Sequence, residues 1–211
     1  ATYLKNNNPI INNFNVQNYN KQNTVYLIYE QGFVPKRENL KIPLVGVDNS
    51  LVLTINLPLY NAEIPYKQVS LEVPSQNLVA LAQESANIYT LAKNQLIENY
   101  PIIIARQISK LATQIAGQKV LQSNNATPLS LIFSGFYLFD SADLRSWRTL
   151  PNYTKIAKIS SDSSLDQVVV NINNRSAYTM NLNLSQGELA IVYVFDSGKQ
   201  LYAKLLYKGT K

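Results

Sequence analysis

Leu51, Leu53, Ile55 and Leu57 alternate with Val52, Thr54 and Asn56, and Val69, Leu71 and Val73 alternate with Ser70 and Glu72. A period of two places successive side chains on opposite faces of a strand, so both runs read as half-buried β-strands. Val25-Tyr26-Leu27-Ile28-Tyr29 is β-branched and aromatic, stops at Gln31-Gly32, and reads the same way. Pro35, Pro43, Pro58, Pro65 and Pro74 punctuate the connections or edges, because proline donates no hydrogen bond to a central ladder. Asp48-Asn49-Ser50 has the chemistry of a hairpin turn between 40–47 and 51–57. Residues 24–74 therefore predict a small antiparallel sheet.

The period changes after Ser75. Up to Gln122 there is one Gly and one Pro, and Ala, Leu, Ile, Gln and Lys dominate. A first helix is expected over roughly 78–99. Pro101 then starts or kinks a second, in which Ile104, Ile108, Leu111 and Ile115 keep helical spacing. Ser123–Pro128 is a break. The apolar block Leu129–Phe139 fits a buried helix or a buried strand, and Asp140-Ser141-Ala142-Asp143 beyond it resembles a helix terminus, which favours the helix.

From Tyr153 the pattern is β again, with strands expected at 153–159, 166–173, 177–184, 188–196 and 200–207. Ser185-Gln186-Gly187 and Asp196-Ser197-Gly198-Lys199 carry tight-turn chemistry, so the last three strands read as a meander. The expected class is α+β: an antiparallel sheet, a central helix–Pro–helix segment and a C-terminal antiparallel β meander. Residues 1–23, with nine Asn, read as an extended leader. Residues 24–211 read as one domain, divided into a first sheet (24–74), a helical part (75–143) and a second sheet (144–211).

Composition narrows the chemistry more than it names it. The 211 residues include no Cys and no His, which removes disulfides, thiol nucleophiles, zinc sites of Cys and His, and imidazole bases. No Gly-rich phosphate loop, Gly-x-Ser-x-Gly or Ser-x-x-Lys motif occurs, so no cofactor is expected. Asp140 with Asp143, and Asp162 with Asp166, are read as cap or loop carboxylates before metal or acid–base pairs. The net charge of +6 is scattered, with nine basic against four acidic residues over 145–211. No like-charge run suggests a nucleic-acid arm, and no apolar run reaches the length needed to cross about 30 Å of hydrocarbon as a helix. The fourteen Tyr mostly fit strand positions; Tyr26, Tyr29, Tyr60 and Tyr66 are the ones to examine for an exposed groove.

One segment concentrates unusual residue types: Asp143-Leu144-Arg145-Ser146-Trp147-Arg148-Thr149-Leu150-Pro151, with the only Trp of the chain. Facing outward, it presents a flat aromatic and two guanidinium forks to a carboxylate, phosphate or glycan. Facing inward, Trp147 plugs the core while Asp143 with Arg145 or Arg148 ties a helix to the sheet; the residue pattern favours this inward arrangement.

The stretch Ala142–Pro151 also resembles the ADxRSWRTLP signature of an uncharacterised bacterial cell-envelope family of outer-membrane lipoprotein-like proteins with a tetratricopeptide-like N-terminal region. Val25–Lys36 is similar to that family's strand-and-turn motif, and Tyr100–Arg106 to its central helix. The resemblance covers roughly residues 24–205. It implies that this chain corresponds to the family's C-terminal domain, with a helical region and a lipid-bearing Cys upstream of Ala1. It also implies a periplasmic or outer-membrane-associated location. Glu30 and Lys36 in the second motif join Asp143, Arg145, Trp147 and Arg148 as candidate interaction residues.

The expected function is a non-enzymatic structural or assembly module of a larger envelope complex, with envelope proteins as partners. It would dock through an exposed sheet edge or the Trp147 segment. The alternative is a binding module for an anionic envelope polymer, peptidoglycan or lipopolysaccharide, which the basic C-terminal third would hold. Clustering of Arg145, Arg148, Lys155 and Lys158 on one face would favour that alternative. A hydrolase or lyase built on carboxylates alone would need two acids converging in one cleft.

Overall fold

Along β1 (Asn23–Phe33), Val25, Leu27 and Tyr29 are fully buried while Tyr26, Ile28 and Glu30 are half-buried, so a continuous β-branched and aromatic run divides into an inward and an outward row. The computed structural model describes residues 21–45, 52–123 and 142–210, and in it both sides of β1 are paired. It runs antiparallel to β7 (Pro151–Ser161), with Tyr29 opposite Lys155, and parallel to β10 (Glu188–Asp196), with Tyr29 opposite Val194. β11 (Leu201–Thr210) flanks β10 and β6 (Gln83–Asn87) flanks β7, giving a five-stranded sheet ordered β11-β10-β1-β7-β6.

A four-stranded antiparallel sheet, ordered β5-β4-β8-β9, comprises β4 (Val69–Val73), β5 (Leu78–Leu81), β8 (Leu165–Ile172) and β9 (Arg175–Leu184). The inward rows of the two sheets form one core, in which Val25, Leu27 and Tyr29 meet Val69, Leu71, Val73, Val168, Val170, Val192 and Val194. This is a two-sheet sandwich, built from residues 21–33, 64–87 and 151–210. Asn173 and Asn174 join β8 to β9 with φ of 51° and 61°, the left-handed pair that a two-residue hairpin requires and that Asn tolerates better than most side chains.

A second compact unit comprises residues 34–63 and 88–150. It contains the hairpin of β2 (Glu38–Val45) and β3 (Val52–Leu59), paired from Glu38 opposite Leu59 to Val45 opposite Val52, and the helix α1 (Ile88–Ser123). Tyr89, Leu96 and Leu111 bury one stripe of α1. The Tyr100 hydroxyl donates to the Pro58 carbonyl at 2.9 Å, and the Tyr89 hydroxyl to the Ala62 carbonyl at 2.8 Å. Two phenols of the helix thus anchor it along the end of β3.

The α+β class and the predominance of antiparallel pairing agree with the sequence pattern, but four expectations need correction. The strands of 24–74 do not make one antiparallel sheet: they are shared among three sheets, and β1 has a parallel neighbour. The helix–Pro–helix segment is one helix with Pro101 inside it, and residues 78–87, expected to be helical, form β5 and β6. Proline removes one helical N–H, a loss that a 36-residue helix rich in Ala, Leu, Gln and Lys tolerates. Residues 78–81 become a strand because Pro74–Gln76 and the left-handed Asn77 turn the chain back onto β4, where cross-strand pairing overrides helix propensity. The last three strands are no meander: β9 belongs to one sheet and β10 to the other, as do β7 and β8 on either side of 162–164. Turn residues announce a reversal, and a step between stacked sheets uses the same ones as a hairpin.

The three-part linear division is not how the chain packs, since β7 to β11 share a core with β1 and β4. The leader expected at 1–23 lies outside the described residues except for 21–23, of which Asn23 opens β1. The turn at 48–50 and the expected helix at 129–139 also lie outside them. Among the described residues no helix is long and apolar enough to cross a membrane.

The inward face of β1 ends in polar groups. The Tyr29 hydroxyl donates to Asp196 Oδ2 at 2.8 Å, Lys67 Nζ donates to the same oxygen at 2.7 Å, and the Gly198 N–H donates to Oδ1 at 2.8 Å. Lys155, fully buried, donates to the Lys67 carbonyl and places its Nζ 3.6 Å from the centroid of the Tyr66 ring. Burial pushes the Asp196 carboxyl up, but the bonds from Lys67, Gly198 and Tyr29 and the charge of Lys67 outweigh it and hold the group below its ordinary value. Burial, followed by donation to Asp196 and the charge of that carboxylate, pushes the Tyr29 phenol well up.

Because the Asp196 pKa is lower folded than unfolded, its contribution is fully present above the unfolded value of about 4 and is lost as pH falls through the folded one. Asp196→Asn is expected to cost about 1–3 kcal/mol at neutral pH and to flatten the acid limb of the stability curve. Urea melts from neutral to acidic pH check both; parallel wild-type and variant curves would show that Asp196 does not carry this dependence.

Candidate functional site

The segment before β7 is held at both ends. Ala142 is buried, and the Val34 N–H donates to the Leu150 carbonyl at 3.0 Å. Between these points the backbone turns twice on itself, Arg148 N–H to the Ser146 carbonyl at 2.9 Å and Leu150 N–H to the Trp147 carbonyl at 3.2 Å. Consecutive tight turns place Trp147 at an apex, and its residue surface is 77% exposed. The expectation that Trp147 plugs the core is therefore overturned. Asp143 and Arg145 do not tie a helix to a sheet either: Arg145 Nε and Nη2 donate to the two carboxylate oxygens of Asp143 at 2.9 and 2.8 Å, an exposed bidentate pair two residues apart. Asp143 Oδ1 also accepts the Arg145 backbone N–H at 3.1 Å, so the pair holds the local turn.

Beside Trp147 lies a cleft of about 460 Å³ within the second unit. The 34–37 segment supplies Val34 and Arg37, and Tyr60 follows β3. The first two turns of α1 supply Ile88, Leu91, Ala92 and Gln95, and the turned segment supplies Arg145, Ser146, Trp147 and Leu150. Tyr60 is buried, edge-on to Tyr89 with ring centroids 5.5 Å apart. Arg37 Nε donates to the Tyr60 hydroxyl at 3.2 Å, and the guanidinium carbon stands 5.4 Å from the centroid of the same ring. Leu91 is 62% exposed, so an apolar side chain and an indole face solvent next to one another. Ser146 Oγ is buried without a hydrogen-bond partner among the described residues.

Bonds from the Arg145 side chain and backbone hold the Asp143 carboxyl far below the usual range, against the opposing effect of burial and with smaller help from the charges of Arg145 and Arg37. The same pairing raises Arg145. The cleft thus presents two permanent cations, an indole and aliphatic side chains, and its described lining holds no carboxylate. That chemistry suits reception of a flat, apolar or anionic group.

Of the residues singled out from the sequence, Arg145 and Trp147 line the cleft and Asp143 is joined to it through Arg145. Arg148 is exposed and is not part of the lining; Lys36 is exposed beside Arg37, which is. Glu30 lies in the sandwich, not in this unit, and accepts the Tyr193 hydroxyl at 2.5 Å; burial first, then that bond and the Glu30 charge, push Tyr193 up to about 12. Among the four tyrosines, Tyr29 is fully buried and Tyr60 forms a cleft wall. Sequence reasoning missed Arg37, Leu91 and Gln95. The signals present were the Lys36-Arg37 dipeptide and a helix whose apolar residues do not keep to one face.

Trp147→Ala is expected to change stability by less than about 0.5 kcal/mol, as an exposed side chain should. Leu96→Ala, buried on α1, is expected to cost about 2–5 kcal/mol. Denaturant melts check the contrast, and wild-type tryptophan emission should be that of a wet indole, readily quenched by a soluble quencher. No family model, curated protein or solved structure matches the chain.

Proposed function

We propose that this chain is a non-enzymatic structural or assembly module of a bacterial periplasmic or outer-membrane complex, docking a protein partner through the cleft beside Trp147. The carrying observation is the single Trp of the chain standing exposed on a cleft that also holds Tyr60, Arg37 and Arg145. Trp, Tyr and Arg are the residue types that dominate binding energy at protein interfaces, and an indole left in water at a turn held by its own backbone bonds contributes little to the fold. The envelope location rests on the resemblance of Ala142–Pro151 and its companion motifs.

Two comparisons favour this cleft over the other surfaces considered. Strand addition at β11, an edge of the five-stranded sheet, is disfavoured by Lys204 and Lys208, since lysines on an edge strand discourage pairing with a further strand. The polymer reading would gain from four clustered cations. Lys155 is buried inside the sandwich, however, and Lys158, three residues along the same strand, has the opposite strand parity.

Affinity capture from gently solubilised envelopes tests the proposal. A stoichiometric protein that binds wild type and is lost with Trp147→Ala, a variant expected to remain folded, is the predicted result. Capture indifferent to Trp147→Ala would overturn the assignment of the cleft, and a bound glycan released by salt would move the function to the polymer-binding class.

A further inference from the structure

The charges around the cleft are unequally engaged. Arg145 has both arms of its fork on Asp143. Arg37 uses Nε on Tyr60 and, among the described residues, has no carboxylate partner. Two planar forks with one internal carboxylate leave a net positive cleft, and the unpaired fork has the geometry that a second carboxylate fits bidentately. Around it are Leu91 and Trp147, which offer an apolar seat, and the Gln95 amide, which both donates and accepts as a peptide backbone requires.

We infer that the cleft takes an acidic peptide segment, with an apolar or aromatic side chain seated on Leu91 and Trp147 and a carboxylate on the open fork of Arg37, and that Asp143, bonded to both arms of Arg145, keeps the second fork from such a ligand. The inference rests on the protein-docking reading above and adds the chemistry of the partner. A peptide is favoured over an isolated small anion because the exposed apolar surface of Trp147 and Leu91 sits beside the cation and rewards a ligand that carries both characters. A carboxylate is favoured over a phosphate because its two coplanar oxygens match one planar fork, whereas a phosphate presents three acceptor oxygens and is met best by several forks, of which only that of Arg37 is open here.

The chain has one Trp, so emission excited at the red edge, where tyrosine does not absorb, reports on this cleft alone. The probe is a short synthetic peptide alternating Glu with Leu and Phe, compared with a twin carrying Gln for each Glu and a twin carrying phosphoserine for each Glu. The acidic peptide is expected to shift the Trp147 emission to the blue and to saturate, with the Gln twin about tenfold weaker and the phosphoserine twin no tighter. Arg37→Gln should weaken the acidic peptide about tenfold, and Arg37→Lys, which keeps charge without the fork, should fall between. Asp143→Asn should tighten it several-fold, because Asn keeps an acceptor for the Arg145 N–H while releasing the Arg145 fork; its exposed position makes this variant safe for folding. Arg175→Gln, a charge change on the sandwich, should leave affinity unchanged.

Equal binding of the Gln twin, tighter binding of the phosphoserine twin, indifference to Arg37→Gln, or weaker binding in Asp143→Asn would each overturn the inference. Partner capture lost with Trp147→Ala but unaffected by Arg37→Gln would discard the carboxylate while leaving the docking reading intact. Loss of any Trp147 dependence in capture would remove both.

Discussion

The inward row of β1 is the constraint on which the sandwich depends. Val25, Leu27 and Tyr29 are fully buried between two sheets, and the strand that carries them is hydrogen-bonded on both sides, to β7 and to β10. A slip of one residue would turn this row outward and bring Tyr26 and Glu30 into the core, so the register is held by burial as well as by the ladders. The row ends where apolar packing gives way to Asp196, Lys67 and Lys155. At that end the interior closes with charge and carbonyl groups that bond one another, which makes the fit of the 65–67 segment a matter of geometry and not only of exclusion from water.

The second unit follows a different economy of side chains. Its helix is anchored by phenols to carbonyls at the end of β3 and buries a narrow stripe, while Leu91, Ile97, Ile102 and Ile108 remain exposed. Exposed aliphatic residues along one helix, an exposed indole and two guanidiniums make a surface richer in binding-type side chains than structural need requires. At the cleft, Asp143 holds Arg145 two residues away, and Arg37 holds Tyr60. Neither pair crosses the cleft to close it, which is consistent with the docking role proposed for it.

Much of the local structure was legible. Period-two runs located β3, β4 and β9, because alternation is a direct consequence of one face meeting a core, and β-branched, aromatic and turn residues located β1 and most of the other strands. Burial around β5 and β6 was not legible. Leu78–Leu81 has helix-forming neighbours on its C-terminal side, and only its pairing with β4 makes it a strand. Pro101 was read as the start of a second helix or a kink, because proline breaks local bonding, and one helix passes through it. At the site, composition alone drew attention to the segment holding Asp143, Arg145 and Trp147. The direction Trp147 faces was misread, since a lone Trp flanked by arginines suits a core plug tied by ion pairs as well as a binding surface, and the backbone bonds that set its direction leave no periodic trace.

The amino-acid sequence by itself determined which segments alternate, where the chain turns, the absence of thiol and imidazole chemistry, and the concentration of Trp and Arg before β7. The tertiary structure decided which strands share a sheet, that β1 lies beside β10 across more than 150 residues of sequence, and that Arg37, Tyr60 and Leu91 meet Trp147 around one cleft. The division has a physical cause. Alternation, turn chemistry and charge are properties of neighbours along the chain, whereas sheet partnership and the lining of a cleft are set by the burial of surfaces from distant segments, for which the linear pattern is the same whichever partner is chosen.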